Sequence, residues 1–176
     1  LSTVATTGLT KAAPSIQAFG AYWFVVDGGA DGAPGLASSQ RIDPSTNPPT
    51  VVDWKSVVTS GTLPARCRLI SLYLGRMALA RPEGGDASHW FLSKPLDPYN
   101  WAYAADDDET PAVLAAIAGT NRNVGLPGDA ITALITAGDD YLLFGCASSM
   151  WMLEGDPGFG GRIYRLSKKT GVSGSR

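Results

Sequence analysis

The chain has 176 residues, a formal net charge of −2 and 44% hydrophobic residues, which is enough to bury a core and excludes bulk disorder. No apolar run approaches the roughly 20 residues that span a bilayer, so we expect no membrane segment. Only 17% of residues are charged, and 21 glycines and 12 prolines indicate many short elements joined by tight turns rather than long helices.

The lysines and arginines are scattered except near the C-terminus, where a small cluster occurs. Its members are Arg162, Arg165, Lys168, Lys169 and Arg176. A protein that neutralises phosphates carries a basic stripe. We interpret this cluster as a solvated edge and expect no sequence-specific nucleic-acid binding.

A first blade-like unit is predicted at residues 21–60, after an extended lead-in at 1–20. Runs of aromatic and β-branched residues bounded by Gly, Pro and Asp are typical of strands. The predicted strands are Ala21–Val26, Leu36–Ile42 and Thr50–Trp54.

A second unit is predicted at residues 61–104, with Gly75-Arg76 as a two-residue hairpin turn. Its predicted strands are Arg68–Leu74, Met77–Ala80, His89–Ser93 and Asn100–Tyr103. The dense alternation of short apolar runs and turn residues again favours antiparallel strands.

Residues 105–129 interrupt this pattern and are predicted to be a linker with a short helix and a loop. Thr110-Pro111 has the form of an N-cap followed by proline at the first helical position. The apolar run 112–118 that follows ends at Gly119 and fits one or two helical turns, although it also fits a buried strand.

A third, partial unit is predicted at residues 130–176. Its strands are expected at Ala130–Thr136, Tyr141–Phe144, Met150–Leu153 and Arg162–Leu166. Turn residues separate each strand from the next, as in the first two units.

An internal repeat links the units. Asp-Pro pairs recur at Asp43, Asp97 and Asp156, spaced by 54 and 59 residues, and the first two follow a serine by four positions. The Asp side chain can accept from local backbone N–H groups while Pro fixes φ and stops the ladder. Tryptophans recur beside these pairs, at Trp54 and Trp101 and at Trp90 and Trp151.

Repeats of roughly 40–50 residues with about four short strands each are typical of propeller blades. A lone four-stranded sheet cannot bury both faces, so such units stack and share a core. The sequence therefore predicts an all-β, mainly antiparallel fold of β-propeller-like blades that form an incomplete propeller. A β-sandwich with recurring turn chemistry is the alternative.

From about Arg66 to Gly174 the sequence resembles a family of proteins encoded by tailed bacteriophages and prophages. The matching stretches are CRLISLYLGRMALARPEGGDASHWFLSKPLDPYNWAY and AIAGTNRNVGLPGDAITALITAGDDYLLFGCASSMWMLEGDPGFGGRIYRLSKKTGVSG. Residues 21–60 resemble the preceding blade of such proteins.

The resemblance implies a virion or tail-associated structural protein, similar to tail-nozzle or tail-hub proteins. It implies assembly in the bacterial host cytoplasm, with partners that are other copies of this chain, in a homo-oligomeric ring, and neighbouring tail or portal-side proteins. It also leads us to expect that the chain is part of a longer protein.

Candidate catalytic groups are few. His89 is the one histidine, and no Gly-x-Ser-x-Gly nominates a serine for a triad, so we expect it to pack at a loop–strand junction. Paired carboxylates for glycan cleavage are available at Asp106–Glu109 and at Asp139-Asp140, and these acids also suit turns and helix starts. A phage glycan-binding or polysaccharide-cleaving domain is therefore the alternative function.

Metal and sugar binding receive equally little support. Asp27-Gly-Gly-Ala-Asp31-Gly32 has some character of a calcium loop, but Gly29 occupies a ligand position, so a turn is favoured. The tryptophans, including Trp23, could stack on sugars, yet their repeated placement favours core. We assign no catalytic, cofactor-binding or metal-ligating residue and expect no enzyme.

The cysteines, Cys67 and Cys146, lie 79 residues apart in or beside apolar runs. Such residues are commonly buried, reduced thiols. The sequence does not decide between two free thiols and one disulfide.

Overall fold

The computed structural model describes residues 14–29, 39–103, 114–120 and 124–172. These residues form an all-β protein without an α-helix, in which three four-stranded antiparallel sheets follow one another along the chain. Each sheet is a meander whose strands lie in sequence order, as in a propeller blade. Among the described residues there is no helix long and apolar enough to cross a membrane.

The first sheet contains β1 (Ser15–Phe19), β2 (Tyr22–Val26), β3 (Ser39–Asp43) and β4 (Thr50–Asp53). It begins six residues before the predicted unit, so the end of the predicted lead-in is in fact the first strand. The alternating, weakly apolar SIQAF of β1 gives no strong strand signal by itself.

The second sheet contains β6 (Cys67–Tyr73), β7 (Arg76–Pro82), β8 (Trp90–Leu92) and β10 (Ile117–Ala118). The prediction of a helix is wrong at β10, where the open alternative of a buried strand is confirmed. Ile117 pairs with Leu92, so this apolar segment adds a strand to the sheet beside β8. The predicted turn at Gly75-Arg76 is shifted by one residue, because Arg76 already pairs with Tyr73 in the ladder.

The third sheet contains β11 (Ile131–Ala137), β12 (Tyr141–Cys146), β13 (Met150–Glu154) and β14 (Arg162–Ser167). It has four strands, like the other two sheets. Every strand lies within two residues of its predicted bounds.

Smaller elements connect the sheets. β5 (Ser60–Gly61) and β9 (Asn100–Trp101) form a two-stranded parallel ladder, so the predicted strand at Asn100–Tyr103 lies outside the second sheet. Short 3₁₀ helices occupy Trp54–Val57 and Pro157–Phe159.

The three sheets pack in a row around two apolar cores. One core joins the first and second sheets and contains Phe24, Trp54 and Leu79. The other joins the second and third sheets and contains Trp90 and Phe144, whose ring centroids are 5.6 Å apart. The first strands β1, β6 and β11 lie side by side, so the sheets diverge from a common inner edge, as blades do.

The Asp-Pro repeat lies at or after the end of the third strand in all three sheets: Asp43 is the last residue of β3, Asp97 lies five residues after β8, and Asp156 lies two residues after β13. Asp43, Asp97 and Asp156 each accept a hydrogen bond from the backbone N–H two residues ahead, at 2.9, 3.0 and 2.7 Å. The predicted turn chemistry is therefore confirmed at each copy.

The two cysteines are free and buried in different cores, Cys67 in the first and Cys146 in the second. Burial raises the pKa of both thiols, that of Cys146 to about 11. Because the thiolate is the reactive form, both side chains are protected from modification.

We therefore expect a disulfide-exchange reagent at pH 8 to label neither thiol in the native chain and to label two per chain in urea. Quantification of the released chromophore measures both numbers. Fast labelling of the folded protein, or fewer than two thiols after denaturation under non-reducing conditions, would contradict the buried, unpaired arrangement.

Candidate assembly surface

The second sheet shows what a blade with neighbours on both sides looks like. In β7 the side chains alternate, so that Met77 and Leu79 enter the core with the first sheet while Ala78 and Ala80 enter the core with the third. All of Arg76–Ala80 is buried. Both faces of this sheet are therefore apolar and covered.

The register of the strands gives the row of sheets a direction. Each sheet begins with a hairpin, and the residue pair next to its turn can be compared between sheets. This pair is Phe19 with Tyr22 in the first sheet and Tyr73 with Arg76 in the second. Phe19 and Tyr22 pack toward the second sheet, and Tyr73 packs toward the third. We call the face that carries this pair the following face and the opposite face the preceding face.

The equivalent pair in the third sheet is Ala137 with Tyr141. It therefore marks the following face of that sheet, which has no further sheet on it among the described residues. Leu142 and Phe144, on the opposite side of β12, fill the core with the second sheet.

An apolar row crosses this open following face with one residue from each strand. Ile135 pairs with Leu143, Leu143 with Met152, and Met152 with Tyr164. Ile135 is 53% exposed, and Tyr141 beside the row is 36% exposed. We call these residues, Ile135, Tyr141, Leu143, Met152 and Tyr164, the third-sheet outer face.

At the other end of the row, the preceding face of the first sheet has no further sheet on it within the part of the chain that the structure describes. Ile16 pairs with Val25, and Trp23 pairs with Ile42. Val25 and Ile42 are buried, whereas Ile16 and Trp23 are 59% and 48% exposed. We call Ile16 and Trp23 the first-sheet outer face; the expectation that every tryptophan belongs to the core is wrong at Trp23.

The other tryptophans divide between core and surface layer. Trp54 and Trp101 pack edge to face with ring centroids 5.9 Å apart, and both indole N–H groups donate to the carbonyl of Pro98. Trp90 fills the second core, while Trp151 is partly buried beneath the guanidinium of Arg165. Filling of the space between sheets by repeat-related tryptophans is thus confirmed for Trp54, Trp90 and Trp101.

A cleft of about 270 Å³ opens where the inner strands of the three sheets meet. It is lined by Ser15 of β1, Leu69 of β6 and Thr132 of β11, with Arg68 at its side. The guanidinium of Arg68 lies 3.1 Å from the carboxylate of Glu83 and is therefore already paired.

A buried ion pair fastens the second sheet to the third. The fully buried guanidinium of Arg76 donates to Asp156 at 2.9 and 3.3 Å and to the carbonyls of Ser93 and Ala115 at 2.9 and 2.7 Å. The hydroxyl of Tyr73 lies 2.9 Å from the carbonyl oxygen of Gly155 in the same region. Arg76, predicted to lie in the two-residue turn Gly75-Arg76, is therefore a buried residue whose role no local pattern indicated.

His89 does not form a catalytic triad with its polar neighbours. Its Nε2 lies 3.5 Å from Asp86, but the hydroxyl of Ser88 donates to that same carboxylate at 2.8 Å and is buried. These serine hydrogen bonds keep the pKa of Asp86 below its usual range. The ring of His89 instead packs edge to face with Phe91, which matches the expected packing role.

A second carboxylate–serine cluster was not anticipated. Asp129 accepts hydrogen bonds from the backbone and hydroxyl of Ser148, both at 2.8 Å, and from Ser149 at 3.1 Å. These bonds lower the pKa of Asp129. A general acid needs a raised pKa, so this carboxylate is suited to holding two loops together rather than to proton donation.

The remaining candidates take structural positions or fall outside the described residues. Asp27 is buried and accepts from the N–H of Gly29 at 2.7 Å, which fits a turn. Asp139 and Asp140 lie in the β11–β12 turn. Asp31 and the acidic run 106–109 lie outside the described residues, and within the described part no cluster of three metal-ligating side chains occurs.

Comparisons of the chain with protein-family models, curated proteins and solved structures give no match. The open sheet faces are therefore the strongest candidate for a functional surface on the geometry alone.

Proposed function

We propose that this chain is a structural component of a phage particle that acts in tail or head–tail assembly through protein–protein interfaces. The proposal joins two lines of support. The sequence from Arg66 onward resembles phage-encoded proteins, and the fold is a row of blade-like sheets whose two end sheets carry exposed apolar side chains, among them Ile135 and Trp23.

The observation that supports this proposal best is the third-sheet outer face. A row that spans four strands and contains Ile135, Leu143, Met152 and Tyr164 is the kind of surface that soluble proteins cover with a partner. The same kind of residue fills the two cores inside the molecule. A binding role for this face explains why it remains apolar in a chain that is rich in polar turns.

The test is whether the chain remains bound to assembled phage particles during purification. Phage particles purified through a density gradient and washed in high salt are expected to retain this chain in a fixed ratio to the other structural proteins, measured by quantitative mass spectrometry. Density for the three sheets should then be found at a tail or head–tail position by electron cryo-microscopy. Loss of the chain from washed particles, with free chain left in the lysate, would overturn the proposal.

A further inference from the structure

We propose that Leu74 and Leu96 form an apolar anchor that inserts into a pocket of a neighbouring virion protein, and that basic side chains surround this pocket. We call these two residues the leucine anchor. The inference rests on the proposed function, because it gives the chemistry of one partner in the same particle. It concerns a different part of the chain from the third-sheet outer face.

The two leucines lie in neighbouring turns at one end of the second sheet. Leu74 and Gly75 are the central residues of the β6–β7 turn. Leu96 is the third residue of the turn Lys94–Asp97, whose ends are joined by a backbone hydrogen bond of 3.2 Å. The N–H of Leu96 also donates to the carbonyl of Gly75 at 2.7 Å, so the two turns are held against each other.

Both leucines occupy backbone positions that favour a different residue. Leu74 has φ +49° and Gly75 has φ +70°, which is the pattern of a two-residue hairpin turn that asparagine followed by glycine usually fills. Leu96 has φ +58° and follows Pro95, which is the pattern of a type II turn with glycine or asparagine as its usual third residue. The β-carbon of leucine makes such a φ unfavourable.

The leucine side chains do not offset this cost by filling a core. Leu96 is 79% exposed and Leu74 is 37% exposed, and neither is among the residues that form the two cores of the described part of the chain. Exposed apolar side chains on a strained backbone are typical of binding sites, where a partner covers them. The leucine anchor therefore fits a role in recognition better than a role in folding.

Acidic residues surround the leucine anchor. Asp97 directly follows it in the sequence, and Asp139 and Asp140 are exposed in the β11–β12 turn. The hydroxyl of Tyr73 donates to the backbone carbonyl of Asp140 at 2.9 Å. Because Tyr73 directly precedes the first leucine of the anchor, this bond brings the acidic turn beside it.

The charges at this end determine the chemistry of the partner. Burial, followed by nearby carboxylates of which Asp156 acts most strongly, raises the pKa of the Tyr73 hydroxyl. Arg76 is buried and already bound to Asp156, and Lys94 is the basic side chain of the turn that carries the second leucine. One lysine thus stands against three aspartates in these turns. A pocket with lysine or arginine at its rim would complement this surface in both charge and hydrophobicity.

The experiment is a competition for places in the phage particle. Cells infected with the unmodified phage also produce a tagged copy of the full chain, and quantitative mass spectrometry compares its share in the lysate with its share in washed particles. Leu74→Asn combined with Leu96→Asn removes both apolar side chains and supplies a residue that each turn favours. We expect this double variant to enter particles about tenfold less than the tagged unmodified chain.

Two controls separate lost binding from lost folding. Leu74→Met combined with Leu96→Met keeps an apolar side chain at both positions and should enter particles like the tagged unmodified chain. The urea midpoint of the asparagine double variant should equal or exceed that of the unmodified chain, because asparagine adopts a positive φ more readily than leucine.

Photo-crosslinking tests the chemistry of the partner. Leu96→p-benzoylphenylalanine in the tagged chain places a crosslinking side chain at the exposed end of the anchor. On irradiation of purified particles, it should link to a segment of a neighbouring protein in which apolar residues are flanked by lysine or arginine.

Several results would overturn the inference. Equal entry of the asparagine double variant and the unmodified chain would do so and would leave the proposed function in place. A lowered urea midpoint would also do so, since the leucines would then serve the fold. A crosslink to an acidic or wholly polar segment, or no crosslink at all, would show that the partner is not the one inferred. Absence of the tagged unmodified chain from washed particles would remove both this inference and the proposed function.

Discussion

Asp156→Asn is expected to lower the free energy of unfolding by about 3–5 kcal/mol, because it removes the counter-charge of a fully buried guanidinium. Arg76 is 0% exposed, and Asp156 receives two of its N–H groups while bridging the second and third sheets. Asparagine has nearly the same shape and can still accept from the N–H of Gly158. The decrease in the free energy of unfolding therefore measures the contribution of the ion pair and not that of the turn.

Equilibrium unfolding in urea, followed by tryptophan fluorescence, measures this effect as a shift of the midpoint at constant slope. Asp43→Asn is the matched control, since Asp43 makes the same turn in the first sheet but has no buried guanidinium as its partner. A much smaller shift is expected for this exposed aspartate. Equal shifts for the two variants would show that the Arg76–Asp156 pair contributes nothing beyond the turn.

Gly61→Ala is expected to lower the free energy of unfolding by about 3–4 kcal/mol, because two unfavourable effects add. The backbone of Gly61 has φ +72°, where a side chain costs about 1–2 kcal/mol. An added Cβ would also lie only 2.2 Å from the carbonyl carbon of Trp101, across the β5–β9 ladder. Backbone cannot rotate away as a side chain can, so the strands must separate at a further cost of about 2 kcal/mol.

Gly20→Ala separates these two contributions. Gly20 also has a positive φ, +57°, but an added Cβ there would meet nothing within 4 Å. The control should therefore lose only about 1 kcal/mol, again measured by unfolding in urea. Because Trp101 packs on Trp54, Gly61→Ala should also change the near-ultraviolet circular dichroism, which Gly20→Ala should leave intact. Matching losses and unchanged spectra in both variants would contradict the close approach.

Much of the fold is visible in short stretches of sequence. Runs such as YWFVV, RLISLYL and YLLFGC identify strands because β-branched and aromatic residues favour the pleated backbone and the flanking glycines end it. The Asp-Pro turns are equally local, since the carboxylate accepts from its own chain two residues ahead. These signals require no partner far along the chain.

Elements that depend on partners outside their own segment were predicted wrongly. β1 has little strand signal and is fixed by pairing with β2, and β10 is a strand because the edge of β8 accepts it. The burial of Arg76 depends on Asp156, 80 residues later. No local pattern shows that a charged residue beside a glycine will lie between two sheets with a carboxylate as its partner.

The sequence by itself determined the all-β character, the recurring turn after the third strand and most strand bounds, because backbone propensity and hydrogen bonding to near neighbours act over a few residues. Only the tertiary structure decided which faces are covered. Whether Ile135 or Leu142 points into a core depends on the register of β11 and β12 and on the sheet that packs against them. Burial is a property of the assembled sheets, so the open faces emerge only when all three are in place.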